Sequence, residues 1–373
     1  FRRRQRQMCI RDRLKMGKKI ISINEGKLSE FKLHSIWLRE RLNGSEFVDQ
    51  NNLQRLYEPS LLDDNLFINS HNVNENILNV EFSDGAKGSF NIDDLYNEIN
   101  NIDVIPEKKI WNVSEQNLEI FDNNKIFENK KELINMLKVF YQYGYVIIEN
   151  TKAEENEVIN FAEKLGPVRA TNFGKLFNVV SKPNPNDLAY TALELTSHSD
   201  NPYRKPVPGI QLLHCIANES TGGDSSLVDG FSVANFLKHN QPEFYKVLTE
   251  TNVTFKFTDI DTILVDEAKL IELDHNNNFR QIRFSGRLDY VPLLEENNLD
   301  LFYKARKYMF KLCNSDDFKI KFRLSKGMIA MFDNLRLLHG RTKFDPNTGF
   351  RHLQGCYIDH DVTEGKLRRL LKP

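Results

Sequence analysis

From residue 209 onward the chain repeats one unit of design, a short β-rich segment followed by a break at Gly, Pro or Asn. Such segments occupy residues 209–215, 224–228, 253–257, 281–284, 327–332 and 352–359. Strands of this length and spacing predict two packed sheets, a double-stranded β-helix or jelly roll, with room for a small ligand at its mouth. One longer helical pattern interrupts them at 299–312. Ahead of the strands, Leu133, Leu137 and Phe140 recur at helical spacing, and Gly144-Tyr145-Val146-Ile147-Ile148 reads as a buried strand. The jelly-roll domain is therefore placed at 131–373.

The preceding part reads as a small α+β domain over 16–105, so the whole chain is α+β. Leu78, Val80 and Phe82 alternate with polar residues, Asp84-Gly85 signals a hairpin, and Asp93 opens a short helix through Leu95 and Ile99. Residues 106–130 carry Trp111 but little periodicity and read as a linker. Residues 1–15, beginning Phe1-Arg2-Arg3-Arg4-Gln5, read as a non-native leader, with the natural start expected at Met16.

The 373 residues suffice for two domains, and 51 basic residues against 52 acidic ones leave a net charge of −1. No overall field recruits nucleic acid or an anionic membrane, so an anionic ligand must be held by local arginines. No apolar run reaches the roughly 18 residues of a membrane-spanning helix. Cys9, Cys215, Cys313 and Cys356 are scattered without a CxxC pair, which points to a reducing cytoplasm and to no disulfide framework.

Chemistry concentrates in His198-Ser199-Asp200. In an extended strand residues i and i+2 share a face, so an imidazole and a carboxylate can meet one ion. His-x-Asp also arises by chance, and most histidines are not ligands. His339, in Leu338-His339-Gly340-Arg341, would complete two histidines and one carboxylate, the facial set of non-haem Fe(II) oxygenases. Arg351 follows on the next strand, where a guanidinium could pair with a carboxylate in two parallel hydrogen bonds. Ser225, after the turn Thr221-Gly222-Gly223-Asp224, could add a hydroxyl; a plain Gly-Gly turn is the competing reading. His214 and Cys215, in an apolar strand, read as core residues. Arg283 and Arg287 could reach an acidic substrate group, although structural or solvated arginines are the commoner case.

Several long motifs now carry a resemblance. Asn186-Asp187-Leu188-Ala189-Tyr190-Thr191, His198-Ser199-Asp200-Asn201-Pro202-Tyr203, Pro208-Gly209-Ile210-Gln211-Leu212-Leu213, Phe332-Asp333-Asn334, Leu338-His339-Gly340-Arg341 and Arg351-His352-Leu353-Gln354-Gly355 resemble the γ-butyrobetaine dioxygenase family, which includes trimethyllysine dioxygenase. The resemblance runs from about Met16 to the end. It implies Fe(II) on His198, Asp200 and His339, 2-oxoglutarate on Arg351 with Leu213 lining the same pocket, O2 as second co-substrate and ascorbate as reductant. It also implies an aromatic cage for a trimethylammonium group, at positions matching Phe173, Phe177, Tyr190 and Tyr357. Phe173 and Phe177 stand where the family often has Tyr or Trp, so the cage is the weaker cation–π partner at those two points.

A second departure lies in the small domain. Trp37-Leu38-Arg39 keeps the family motif, but residues 16–130 contain no cysteine and offer only His34 and His71 as nitrogen ligands. No structural zinc is expected. The resemblance implies a homodimer and a reaction converting γ-butyrobetaine to L-carnitine, with trimethyllysine or 2-trimethylaminoethylphosphonate as alternative substrates. A catalytically silent jelly roll that binds a quaternary ammonium solute is the reading from a different class.

Overall fold

A computed structural model describes residues 17–24, 26–115, 118–180 and 191–372. Two compact units emerge, residues 1–103 and 104–373. Residues 1–15 and Tyr190 lie outside the described residues.

In the first unit, the antiparallel sheet Ile68–Asn74, Ile77–Phe82 and Lys87–Asn91 is followed directly by the helix Ile92–Ile99. The helix starts where it does because the Asn91 side chain accepts from the amides of Asp93 and Asp94. The Trp37-Leu38-Arg39 motif packs rather than reacts. Leu38 is fully buried in the core, and Arg39 pairs with Asp84 at 2.8 Å while lying over the Phe47 ring at 4.7 Å. His34 is the cap of a short helix, accepting from the Ile36 amide at 3.2 Å.

The second unit is built on two sheets. The larger runs in the order Ile120–Asp122, Tyr145–Glu149, Ile329–Asp333, Ile210–Asn218 and Arg351–Ile358, with Val168–Arg169 and Phe177–Val180 both pairing with the last. The smaller runs Leu195–His198, Leu337–Arg341, Ser225–Asp229 and Lys319–Phe322. Apolar residues from both sheets, among them Leu227 and Leu337 from the smaller and Tyr145, Ile147, Ala330 and Leu353 from the larger, form one core between them. The outer face of the larger sheet buries Leu212, Met331 and Cys356 against the helices Lys130–Tyr143, Glu157–Leu165 and His360–Leu371. The helices Gly230–Asn240, Pro242–Glu250 and Glu296–Cys313 pack in a further cluster that includes Val228 and Leu338 of the smaller sheet. Two sheets face to face, each backed by helices, is the jelly roll expected from the strand spacing.

Two sequence expectations need revision. Residues 106–130, read as a linker, belong to the second unit: Ile120–Asp122 adds a parallel edge strand on Tyr145–Glu149, and Trp111 is buried with its amide on Asp229 at 3.1 Å. A three-residue strand shows no period to read, which is why the sequence looked irregular there. The helices at 157–165, 230–240, 242–250 and 360–371 were also not anticipated among the strands. Among the described residues no helix is long and apolar enough to cross a membrane.

Candidate active site

The smaller sheet sets the site. His198 ends its strand and lies directly opposite His339 in the antiparallel register, with ring centroids 4.4 Å apart. The strand stops at His198, so Asp200 is not its i+2 neighbour on a pleat as the sequence suggested. Ser199 breaks the ladder by exchanging bonds with Phe284: its amide donates to the Phe284 carbonyl at 2.9 Å, and its hydroxyl accepts the Phe284 amide at 3.0 Å. The chain then turns Asp200 back toward the histidines. Its Oδ1 stands 3.4 Å from His198 Nε2 and 3.7 Å from His339 Nε2.

The electrostatics suit a cation. His198 Nδ1 lies 2.8 Å from the Thr196 carbonyl; donation there leaves the Nε2 lone pair facing the site. Burial pushes the His339 imidazole down to about 3, so it is neutral at ordinary pH, the form that can bind a metal ion. Burial alone would raise the Asp200 carboxyl, but the two imidazoles and the Tyr357 hydroxyl outweigh it and hold the group ionised well below the usual carboxylate range. One ligand atom from each of the three residues lies within 4.8 Å of the others, the spacing a single metal ion requires. Two imidazoles and one carboxylate with an open side fit Fe(II).

These residues line one cavity of about 380 Å³. Arg351, Ser225 and Leu213 line it too. Arg351 is 5% exposed; its Nε has no hydrogen-bond partner among the described residues, and one terminal nitrogen makes only a long 3.5 Å contact with the Gly223 carbonyl. Burial pushes its guanidinium down to about 10, still a full cation at neutral pH. Gly223, at φ +75°, makes this possible, since a Cβ there would sit 3.0 Å from Arg351 Nε. Arg341 lies close by but is engaged, donating to the carbonyls of Thr191 at 2.8 Å and Leu193 at 2.6 Å.

Of the four aromatic positions, Phe173, Phe177 and Tyr357 line the cavity. Phe177 stacks on Tyr357 with centroids 5.2 Å apart and planes at 29°. Gly355 permits the stack, because a Cβ there would meet the Phe177 ring at 2.4 Å. Two aromatics not anticipated join them: Phe257 contacts Phe173 at 5.6 Å and stacks on Tyr203 at 4.9 Å, and both line the cavity. The alternation of Val253, Phe255 and Phe257 marked an inward face, but nothing local showed that the strand's end reaches the cavity. His214 is fully buried and Cys215 is a buried thiol pushed up to about 11; neither lines the cavity. Arg283 is structural, bound to Asp266 at 2.5 Å and Glu272 at 2.6 Å, whereas Arg287 is exposed and lines the cavity.

The pattern of the taurine catabolism dioxygenase TauD, TfdA family matches residues 112–357. The chain belongs to the TauD/TfdA dioxygenase family. Among its relatives, the gamma-butyrobetaine dioxygenase of Pseudomonas sp. strain AK-1 is 29% identical over 345 residues, covering 90% of this chain and 89% of that protein. The human gamma-butyrobetaine dioxygenase is 35% identical over 272 residues, covering 71% and 70%. The trimethyllysine dioxygenase of Meyerozyma guilliermondii is 30% identical over 248 residues, covering 65% and 61%. Among solved structures, an alpha-ketoglutarate-dependent taurine dioxygenase assignment from Burkholderia xenovorans superposes with a TM-score of 0.50 at 14% identity, covering 67% of this chain and 92% of that one. That likeness establishes the TauD-like fold. Within the family pattern fall both histidines, Asp200, Arg351 and the aromatic residues described above.

Proposed function

We propose that this TauD/TfdA family member is an Fe(II)- and 2-oxoglutarate-dependent oxygenase that hydroxylates a small trimethylammonium compound, with γ-butyrobetaine to L-carnitine as the leading reaction. The observation that carries the reading is one cavity holding three kinds of group: the His198, Asp200 and His339 ligand atoms, the partner-poor Arg351 guanidinium, and a wall of aromatic rings. A module that only stored a quaternary ammonium solute would need the rings alone. The names of the relatives support the same substrate class.

In this reading His198, Asp200 and His339 would hold Fe(II), which with 2-oxoglutarate supplies the oxidising power to hydroxylate an unactivated C–H bond. The chain's own work is placement. Arg351 would pair with the far carboxylate of 2-oxoglutarate, Ser225 would add a hydroxyl to it, and Leu213 with Leu353 would keep water from that end of the cavity. Phe173, Phe177 and Tyr357 would surround the ammonium group and would orient the substrate carbon toward the metal; Tyr190, the fourth expected cage position, lies outside the described residues. Arg287, exposed on the cavity lining, would meet the substrate's acidic end. No side chain has to act as a general base.

Homodimerisation is part of the proposal, as is a reducing compartment, which the buried free thiols Cys215, Cys313 and Cys356 support. So is a first unit without zinc, in keeping with a cap role for His34 and no cysteine within residues 16–130. Light scattering checks the dimer, and metal analysis of the purified protein checks the absence of zinc.

The test of the reaction is succinate release in the presence of Fe(II), ascorbate and 2-oxoglutarate, in air and without oxygen, across γ-butyrobetaine, trimethyllysine and 2-trimethylaminoethylphosphonate. Oxygen-dependent succinate in step with one hydroxylated product supports the reading and selects the substrate. Succinate without hydroxylated product would reject the substrate class, and no succinate with no iron binding would reject the oxygenase.

A further inference from the structure

The carboxylate of Asp200 has two oxygens, and the structure uses them differently. Oδ1 faces both histidine Nε2 atoms. Oδ2 accepts a hydrogen bond from the Tyr357 hydroxyl at 2.8 Å. Tyr357 is 4% exposed, and the ring that carries this hydroxyl is the one stacked on Phe177 and lining the cavity. An ionised carboxylate only accepts, so the phenol is the donor.

We propose that Tyr357 is a positioning residue for the metal ligand as well as a wall of the ammonium pocket: its hydroxyl engages Oδ2 of Asp200, leaving Oδ1 to bind the ion as a single donor atom. This rests on the reading of His198, Asp200 and His339 as metal ligands. The geometry behind it is specific. Free rotation of the carboxylate would let both oxygens compete for the ion and would occupy part of the open side where co-substrate must sit. A hydrogen bond on Oδ2 fixes the rotation, and the Phe177 stack with Gly355 behind it fixes the tyrosine. Partners of this kind commonly change metal affinity by roughly 10–100-fold when removed.

Two properties that a cage residue alone would not link are therefore tied together in one side chain, and two variants separate them. Tyr357→Phe keeps the ring and removes the hydroxyl; Phe177→Leu keeps the hydroxyl and removes the stacked ring. Metal-free protein of each kind is titrated with Co(II), following affinity and the visible absorption of the bound ion. The affinity of γ-butyrobetaine is then measured on the Mn(II) and 2-oxoglutarate complex without oxygen, so that no turnover intervenes. Far-UV circular dichroism and Tm of the metal-free proteins check folding.

Tyr357→Phe is expected to lower Co(II) affinity by about tenfold or more and to alter the Co(II) spectrum, with γ-butyrobetaine affinity changed less than about threefold. Phe177→Leu is expected to weaken γ-butyrobetaine binding by more than Tyr357→Phe does, and to lower Co(II) affinity by less, because the hydroxyl on Asp200 remains while the stack that steadies it is lost. Co(II) affinity and spectrum equal to wild type in Tyr357→Phe would overturn the inference while leaving the oxygenase reading intact. Failure of the wild-type protein itself to bind Co(II) would overturn both.

Discussion

Asn334 grips the peptide of Asp200 from both ends: its Oδ1 accepts the Asp200 amide at 2.8 Å and its Nδ2 donates to the Asp200 carbonyl at 3.0 Å. Nδ2 also donates to the Pro208 carbonyl at 2.9 Å, and the side chain is fully buried. The turn between Ile329–Asp333 and Leu337–Arg341 thus holds the loop that carries Asp200, which has no strand pairing among the described residues.

Asn334→Ala removes all three bonds and leaves buried backbone groups unsatisfied, at about 1–3 kcal/mol each before relaxation. The expected outcome is a clear fall in Tm together with weaker Co(II) binding. Asn334→Asp, which keeps the acceptor and loses both donor bonds, should fall between. Calorimetry and metal titration on the same preparations check the order.

Arg351→Lys keeps a positive charge and loses the fork that matches a carboxylate. Charged hydrogen bonds of this kind contribute about 1.5–3 kcal/mol. The expected outcome is a KM for 2-oxoglutarate raised by roughly tenfold or more, with a smaller change in the KM for the trimethylammonium substrate. Steady-state kinetics with each substrate varied in turn check it; an equal rise in both would place Arg351 outside the 2-oxoglutarate end.

The Arg336–Asp229 pair is fully buried, with Nη2 to Oδ2 at 2.7 Å, and the same Arg336 donates to the carbonyls of Lys109 and Gln142. Asp229 in turn accepts the amides of Trp111 and Phe231. Asp229→Asn strands a buried guanidinium, a loss of about 3–5 kcal/mol. Denaturant unfolding is expected to show it. The fraction that remains folded should keep its KM values, because neither residue lines the cavity.

His360 pairs with Asp333 at 3.0 Å behind the ligand turn. Burial opposes a charge on the imidazole, but the Asp333 carboxylate outweighs it and raises the His360 pKa; burial also opposes the Asp333 charge, which His360 offsets, holding that carboxyl down at about 2. The raised histidine contributes stability that is complete below its unfolded pKa of about 6.5 and is lost as pH rises through the folded value. The depressed carboxyl contributes stability that is lost as pH falls from about 4 toward about 2. A Tm measured across this range should therefore fall at both ends, and His360→Gln should remove the decline on the alkaline side.

The candidate set was legible because the chemistry proposed for it needs particular residue types, two imidazoles, a carboxylate and a guanidinium, and His198, Asp200, His339 and Arg351 all line one cavity. The strands were legible from their length and breaks. What escaped depends on contacts distant in sequence. Phe257 and Tyr203 look like ordinary core rings until the hairpin brings them to the cavity. Asn334 reads as a turn residue, and only the fold shows that it turns toward Asp200. The helices Gly230–Asn240 and Pro242–Glu250 carried signals, an Asp229 cap and a proline at the first helical position, that the surrounding β-rich pattern masked. The helix Glu157–Leu165 starts at Asn156 in a left-handed conformation with no side-chain cap, so its beginning left little trace.

Leu195–His198 is the outermost strand of its sheet, and its ladder to Leu337–Arg341 is irregular between Leu195 and His198. Such a border is where a sheet frays or recruits a foreign strand. An ion bonded to His198 and His339 at once would rivet that border to its neighbour across the very register pair where the ladder recovers. Loading with metal would then do two jobs, arming the chemistry and sealing the sheet, so that the empty protein should be the one that exchanges its amides, meets proteases and aggregates first.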